Sequence, residues 1–426
     1  MSDHSYVRTE MLSEQPAPLG ETGVLKWMRE NLFSSILNSI ITVVSVIGIL
    51  FVLALLLPWM FQPSWASGSL RQCLDDPNIN GACWGVVRDR VNQLMYGFYP
   101  QELQWRPNLA FFLMLVAVAP VLFDKLPRKM IWFSAIYPFL GVWLLWGGSI
   151  WGPAMVVAGF VIGYFVFKVL HEIAGSLTGM IVAVLVVILW WMYGVGPVGG
   201  ALNGFIPLGI EAVPSSVFGG FMLSITIGVS GIALSLPIGI ILALGRQSDM
   251  FIIKTLSVGY IELIRGVPLI TLLFVASVLL NFFLPPGTNF DLILRVIIMV
   301  TLFAAAYMAE VIRGGLAALP KGQYEAADAL GLDYWKSMRL IIMPQALKIS
   351  IPGIVGSFIG LFKDTTLVSV IGLLDPVGLI VTIQGSTDWN GIVWELFLFV
   401  AMLFWVFCFS MSRYSMYLER KLQTSH

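Results

Sequence analysis

Residues 309–348 read AEVIRGGLAALPKGQYEAADALGLDYWKSMRLIIMPQALK, a run rich in charge between two long apolar segments. At about 40 residues it far exceeds the usual 2–8 between bundled helices, and connections of that length tend to be functional. Segment 323–330 has strong helix propensity, with Ala326, Ala327 and Ala329 forming a small-residue set. Gly331 permits a reversal, and Asp333 is placed to cap a second helix whose inward positions are Trp335, Met338, Ile341 and Ile342. Pro344 is expected to end or kink that helix. A cleft on another protein can grip a short exposed helix with a small-residue face; an amphipathic helix resting on a membrane is the alternative.

Away from this run the chain is strongly apolar. Of its 426 residues, 58% are hydrophobic and only 11% charged, against about 25% charged in a globular protein. Lys and Arg total 24 and Asp and Glu also 24, for a net charge of zero. That excludes a basic nucleic-acid binder and an acidic disordered tail. So few charges cannot cover a soluble fold of this size, and the expectation is an all-α polytopic membrane protein in a lipid bilayer. A spanning helix needs about 20 apolar residues. About ten transmembrane helices are expected: 36–59, 108–123, two within 130–167 divided by Gly147-Gly148 and Trp151-Gly152-Pro153, one around 181–193, then 217–245, 267–285, 292–309, 350–373 and 391–412.

An even number of spans puts both termini on one side, and the cytoplasmic side should carry the Lys/Arg excess. Arg8, Lys26 and Arg29 precede the first span, Lys125, Arg128 and Lys129 follow the second, and Arg413, Arg420 and Lys421 follow the last. Both termini are therefore predicted cytoplasmic. The expected organisation is a cytoplasmic N-terminus with an interfacial helix (1–35), an N-terminal membrane extension (36–205) with an outer loop at 62–107, and a core (206–426) with the long cytoplasmic loop at 310–349. The interfacial helix rests on Val24, Leu25, Trp27, Met28, Leu32 and Phe33 alternating with charge; an extended first span reads equally well. Cys73 and Cys83 fall in the outer loop, in an oxidising compartment, with turn signals between them that favour a disulfide over two free thiols. Three scattered histidines give no metal-ligand spacing, and no nucleophile–base constellation points to catalysis.

The spacing Glu325-Ala326-Ala327, three residues, Gly331, nine residues, Ile341-Ile342-Met343-Pro344 resembles the EAA motif of bacterial ABC-importer permeases, with Met343 where Leu is usual. The resemblance implies that Glu325, Ala326, Ala327, Gly331 and Pro344 belong to a coupling helix docking on an ATP-hydrolysing subunit. Glu262-Leu263-Ile264-Arg265-Gly266-Val267-Pro268, Ala306-Tyr307-Met308-Ala309-Glu310 and Lys363-Asp364-Thr365-Thr366-Leu367 look like signatures of the polar-amino-acid uptake branch. This chain departs at Leu272, where many relatives carry Gln. The match covers roughly 215–415, five spans that would form a type I ABC-importer permease core. The first half looks like that of the longer permeases of general L-amino-acid importers. The implied function is the permease subunit of an ATP-driven amino-acid importer in the bacterial inner membrane. Its implied partners are a related permease in a heterodimer, an ABC ATPase dimer and a periplasmic amino-acid-binding protein. No Gly-Lys dipeptide is present, hence no P-loop, so this chain binds no cofactor and ATP and Mg would sit on the partner ATPase.

With a helix starting near Ser350, Lys363 and Asp364 fall about 20 Å into the membrane, where charges face a cavity or a partner. A zwitterionic solute needs donors and acceptors, which Lys363, Asp364, Thr365 and Thr366 can supply. Buried ion pairs between helices are the structural alternative. Tyr307 either lines the same path or packs. Arg265, Glu310 and Arg313, nearer the cytoplasmic face, read as a gate or loop anchor rather than a substrate site. An ion-coupled secondary transporter of small polar solutes is the competing class; it predicts intramembrane carboxylates in both halves, and the first five spans are almost free of charge.

Overall fold

The computed structural model describes residues 23–61, 63–76, 81–123, 125–279, 282 and 291–422. Arg8, His4 and His426, the end of the expected 267–285 span and the turn signals at Pro77 and Asn80 lie outside these residues. The chain divides into two compact units, 1–85 and 86–426.

In the first unit, helix α1 (Gly23–Asn31) carries the Lys26–Glu30 pair one turn apart, and α2 (Ile36–Phe61) is apolar on every face with no buried residue. A helix that is hydrophobic all round belongs in lipid or in a large core. Helix α3 (Leu70–Asp75) starts on Ser69, whose hydroxyl accepts the Gln72 amide. It ends beside a disulfide between Cys73 and Cys83, with Cα atoms 6.1 Å apart. Trp65 stacks on Trp84 at 5.8 Å between ring centroids, closing this small knot.

The second unit opens with α4 (Gly85–Tyr96). The spans α5 (Trp105–Leu122), α6 (Ile131–Trp146) and α7 (Trp151–Ala174) follow, and then α8 (Ser176–Leu189), a π-helical turn, and α9 (Val195–Phe205) as one continuous span. The break between α6 and α7 falls at Gly147-Gly148, as the glycine pair predicts, and its Gly148–Ser149 strand pairs antiparallel with Gly209–Ile210. Helices α5 and α6 join the main core: Tyr99, Ala110, Leu144 and Leu145 share one apolar cluster with Phe218, Leu223, Val296 and Leu361.

That cluster is organised by α10 (Gly220–Gln247). Phe362 and Thr365 fill the space beside its Gly228, Val300 and Leu361 that beside Gly231, and Met308 that beside Gly239. Small residues let membrane helices approach closely, so the recurring glycines seat α10 against its neighbours. After α10 comes a bent pair turned by 102°: α11 (Phe251–Gly266), which was not expected as part of a span, and α12 (Leu269–Phe274) with a π-helical turn to Leu279, which begins the span expected at 267–285. Pro268 is the cause: it lacks an amide donor and pushes Val267 out of helical geometry, to φ −109° and ψ 131°.

Helix α13 (Leu292–Ala317) begins on Asp291, which accepts the Leu294 amide at 3.0 Å, and continues to Ala317 rather than stopping near 309. The short α14 (Lys321–Ala329) and α15 (Tyr334–Ser337) follow, and a π-helical turn at Met338–Ile342 leads into α16 (Met343–Asp364). Pro344 therefore does not end that helix, which runs on into α16 directly after the π-helical turn. It lies in the first turn of α16, where no amide donor is required. The chain closes with a 3-10 segment (Thr365–Ile371), α17 (Pro376–Gln384) and α18 (Trp394–Leu422). Nine helices among the described residues are long and apolar enough to cross a membrane, ten if the bent pair counts as one.

Candidate functional site

The charged run resolves into a reversal between two long helices. Its first element, α14, starts at Pro320 and ends where Gly331 turns the chain at φ +66°, a conformation that favours glycine. Asp333 then caps α15, its carboxylate accepting the Lys336 amide at 2.9 Å and pairing with Lys336 Nζ at 3.0 Å. The Lys336 amide first and its ammonium second hold the Asp333 carboxyl below the usual range. Glu325, Ala326 and Gly331 are exposed, whereas Ala327 is fully buried and turned into the protein. Gln345 donates to Gln323 at 3.0 Å and fixes α14 to the base of α16. Met338 and Ile342 point inward as expected, but Trp335 does not: it is 71% exposed beside Tyr334, against which it packs edge-on at 5.3 Å. The outward face of this reversal thus presents small residues, the carboxylates of Glu325, Asp328 and Asp333, and the rings of Tyr334 and Trp335.

Just inside it lies an ionic cluster. Glu310 accepts Arg313 on one carboxylate oxygen, while its other oxygen faces Arg246 at 3.3 Å and Arg265 at 3.7 Å. Arg246 also reaches Glu262 at 2.9 Å. Three guanidiniums share two carboxylates, so the cluster keeps a net positive charge. Arg265 ends α11 immediately before the bend, and its guanidinium lies 5.6 Å from the centre of the Tyr307 ring. The structure thus brings Arg265, Glu310 and Arg313 together and adds Tyr307 to them. Sequence reasoning missed Arg246, although it closes the last turn of α10, where a cation is favoured by the helix dipole.

Lys363 and Asp364 occupy the end of α16, where the helix tightens into its 3-10 segment. Because the helix is continuous from Met343 rather than starting near Ser350, Lys363 lies about 30 Å along it. Neither side chain has an ion-pair partner among the described residues. Thr365 is 1% exposed, with its hydroxyl donated to the Phe362 carbonyl at 2.7 Å, and Thr366 donates to the Lys363 carbonyl at 2.9 Å. Both hydroxyls therefore hold the local backbone, and Tyr307 belongs to the Arg265 cluster.

A bent span, a charged reversal between α13 and α16 and nine or ten membrane-length apolar helices among the described residues mark the class of multi-pass membrane proteins. Residues 235–424 match the family described as the binding-protein-dependent transport system inner membrane component. The chain is 57% identical to the glutamate/glutamine/aspartate/asparagine transport system permease protein BztC of Rhodobacter capsulatus, covering 100% of each. It is 39% identical to the inner membrane amino-acid ABC transporter permease protein YhdY of Escherichia coli, over 97% of this chain and 98% of that one. A crystal structure of an amino acid ABC transporter with histidines is 30% identical over 47% of this chain and 91% of that chain, with a TM-score of 0.43. This chain belongs to the amino-acid ABC transporter permeases. It is a multi-pass inner-membrane protein and a translocation subunit rather than an enzyme.

Proposed function

We propose that this permease takes up amino acids with acidic and amide side chains, as one half of a heterodimer with a related permease. The full-length 57% identity to a glutamate/glutamine/aspartate/asparagine permease carries this reading. ATP would be bound and hydrolysed by a separate ATPase dimer seated on Glu325, Ala326 and Gly331, the exposed positions of the 321–333 reversal. A binding protein would deliver the solute from the other side. Closure of the ATPases would draw α14 together with its counterpart, and α13 and α16, joined to it at both ends, would transmit the movement into the bundle. Transport then follows from each state favouring a different orientation of the same helices.

Lys363 and Asp364 are the proposed contacts of the path, supported by the absence of a salt bridge to either among the described residues. The cluster of Glu310, Arg265, Arg313, Arg246 and Tyr307 is the proposed inner gate and anchor of the coupling segment. Cytoplasmic termini belong to this reading, supported by an even span count with the bent pair as one and by the Lys/Arg residues beside the first, second and last spans. Organisation into 1–35, 36–205 and 206–426, with a coupling loop at 310–349, is part of the same reading. Uptake by the reconstituted complex, competed in turn with acidic, amide, basic and aliphatic amino acids, tests it. Competition by basic or aliphatic amino acids alone overturns the substrate class; uptake without a copurifying ATPase overturns the coupling.

A further inference from the structure

Segment 86–104 is fastened to several parts of the bundle at one end. Gly97 bridges Phe218 antiparallel, and Gly219 bridges Leu374 in parallel. The Phe98 amide donates to Val217 at 3.1 Å and the Gly220 amide to Leu374 at 2.7 Å. A Cβ on Gly97 would run into the Gly219 backbone, and one on Gly220, at φ +61°, into the backbone of Leu94 and Met95. From α4, Asp89 accepts the indole N–H of the fully buried Trp389 at 2.9 Å, and Arg90 reaches Asp388 at 3.9 Å. The segment is thus tied to the start of α10, to the residue before the α17 cap and to the loop before α18.

Beside these ties opens a cavity of about 450 Å³ lined by Asp89, Arg90, Asn92, Gln93, Gln101 and Gln104 among others. Among the described residues none of the four carboxamides makes an intramolecular side-chain hydrogen bond. Their donors and acceptors are open to a partner. The 28 residues of α10 run from this junction to Arg246, about 42 Å at 1.5 Å per residue. The junction and the coupling segment therefore lie at opposite ends of the bundle. A polar surface suits a partner that binds and leaves, and the family is a binding-protein-dependent one.

We propose that segment 86–104 is the receiving surface for the substrate-delivering binding protein, with the carboxamide cavity as contact and the Gly97–Gly219 and Asp89–Trp389 ties passing docking to the ends of α10 and α17. A partner on an untethered loop would displace the loop alone. Here the same force reaches helix ends through backbone pairs. The proposal rests on the reading of the chain as an importer subunit with the coupling segment at the cytoplasmic face.

The test uses the full complex in nanodiscs with its binding protein and ATPase. Gln93→Arg with Gln104→Arg fills the cavity with two long cations. The binding-protein concentration giving half-maximal ATPase stimulation should rise at least about tenfold. Trp389→Phe removes the indole donor from the tie together with part of a fully buried ring, and the maximal stimulation should fall at least about twofold, whereas Asp89→Asn, which still offers an acceptor and leaves the ring in place, should retain it. If the arginine pair prevents assembly, Gln101→Cys labelled with a bulky thiol reagent after assembly gives the same reading. An unchanged half-maximal concentration overturns the receiving surface, and an unchanged maximum in Trp389→Phe overturns the transmission. A wild-type complex whose ATPase ignores the binding protein defeats the importer reading itself, a separate result.

Discussion

Glu310 and Arg313, one turn apart on α13, are joined by two hydrogen bonds onto a single carboxylate oxygen, at 2.5 Å from Nη2 and 2.9 Å from Nε. That geometry frees the other oxygen for Arg246 and Arg265, so one carboxylate ties α13 to the last turns of α10 and α11. Glu310→Gln leaves the three guanidiniums with Glu262 as their remaining carboxylate. The cluster is partly exposed, so the expected loss is about 1–2 kcal/mol rather than that of a fully buried pair. A lower melting temperature and slower uptake are expected, with partial recovery in Glu310→Asp; wild-type values for Glu310→Gln would remove the cluster from the mechanism.

The exposed face of α14 makes a separate prediction. Ala326→Trp adds bulk where the small residue faces outward and should abolish copurification of the ATPase while leaving the permease monodisperse. Gly331→Ala imposes a left-handed conformation on a residue with a Cβ, at about 1 kcal/mol, and should weaken the same association by a smaller factor. Undiminished ATPase recovery with Ala326→Trp would falsify the docking role.

Lys363→Ala and Asp364→Ala should each lower uptake several-fold with complex yield unchanged, because neither side chain makes a salt bridge to another helix among the described residues. Loss of the assembled complex would instead mean that these charges pair across the interface with the second permease.

Asp375 makes a pH prediction. It is fully buried at the start of α17, accepting the Val377 and Gly378 amides at 3.1 and 3.0 Å. Burial outweighs those donors and pushes its carboxyl up to about 6. A carboxyl whose folded value lies above its unfolded value of about 3.9 holds its proton more tightly when folded. Its contribution to stability is therefore greatest below that window and declines as pH rises from about 4 to about 6. The melting temperature of the wild type should fall over this interval more steeply than that of Asp375→Asn. Parallel curves would show that the group does not titrate there.

Peptide mapping without reductant should find Cys73 and Cys83 in one linked peptide, with Cys408 the only cysteine open to alkylation after unfolding. Alkylation of both Cys73 and Cys83 would count against the disulfide.

Much of this was legible from charge spacing, because the bilayer filters sequence so strongly. Apolar runs marked α2 and α5, and the glycine pair at Gly147 divided α6 from α7. The reversal at Gly331 and the Asp333 cap were readable because both depend on neighbours within a few residues. What was not legible depends on partners distant in the chain. Arg246 lies 64 residues from Glu310, and nothing local marks the two as neighbours. Helix α11 was not legible as half of a bent span because Lys254, Glu262 and Arg265 interrupt its apolar run. Trp335 was assigned inward by helical period, yet in this chain its face looks out; periodicity marks an apolar stripe without saying which body covers it.

The crossing of Gly97, Gly219 and Gly220 bears on how far this chain can be shortened. Residues 206–426 resemble a five-span permease in length, yet Gly219 and Gly220 are shaped to a backbone that the shorter piece would lack. Phe218 would lose Trp146, 4.6 Å away between ring centroids, and Tyr99 at 5.5 Å. A deletion ending at 205 would therefore strip the bundle of its own wall, whereas one ending near 85 would leave every one of these contacts in place. The core at 206–426 is therefore not a self-contained body, because residues 86–205 supply part of its packing.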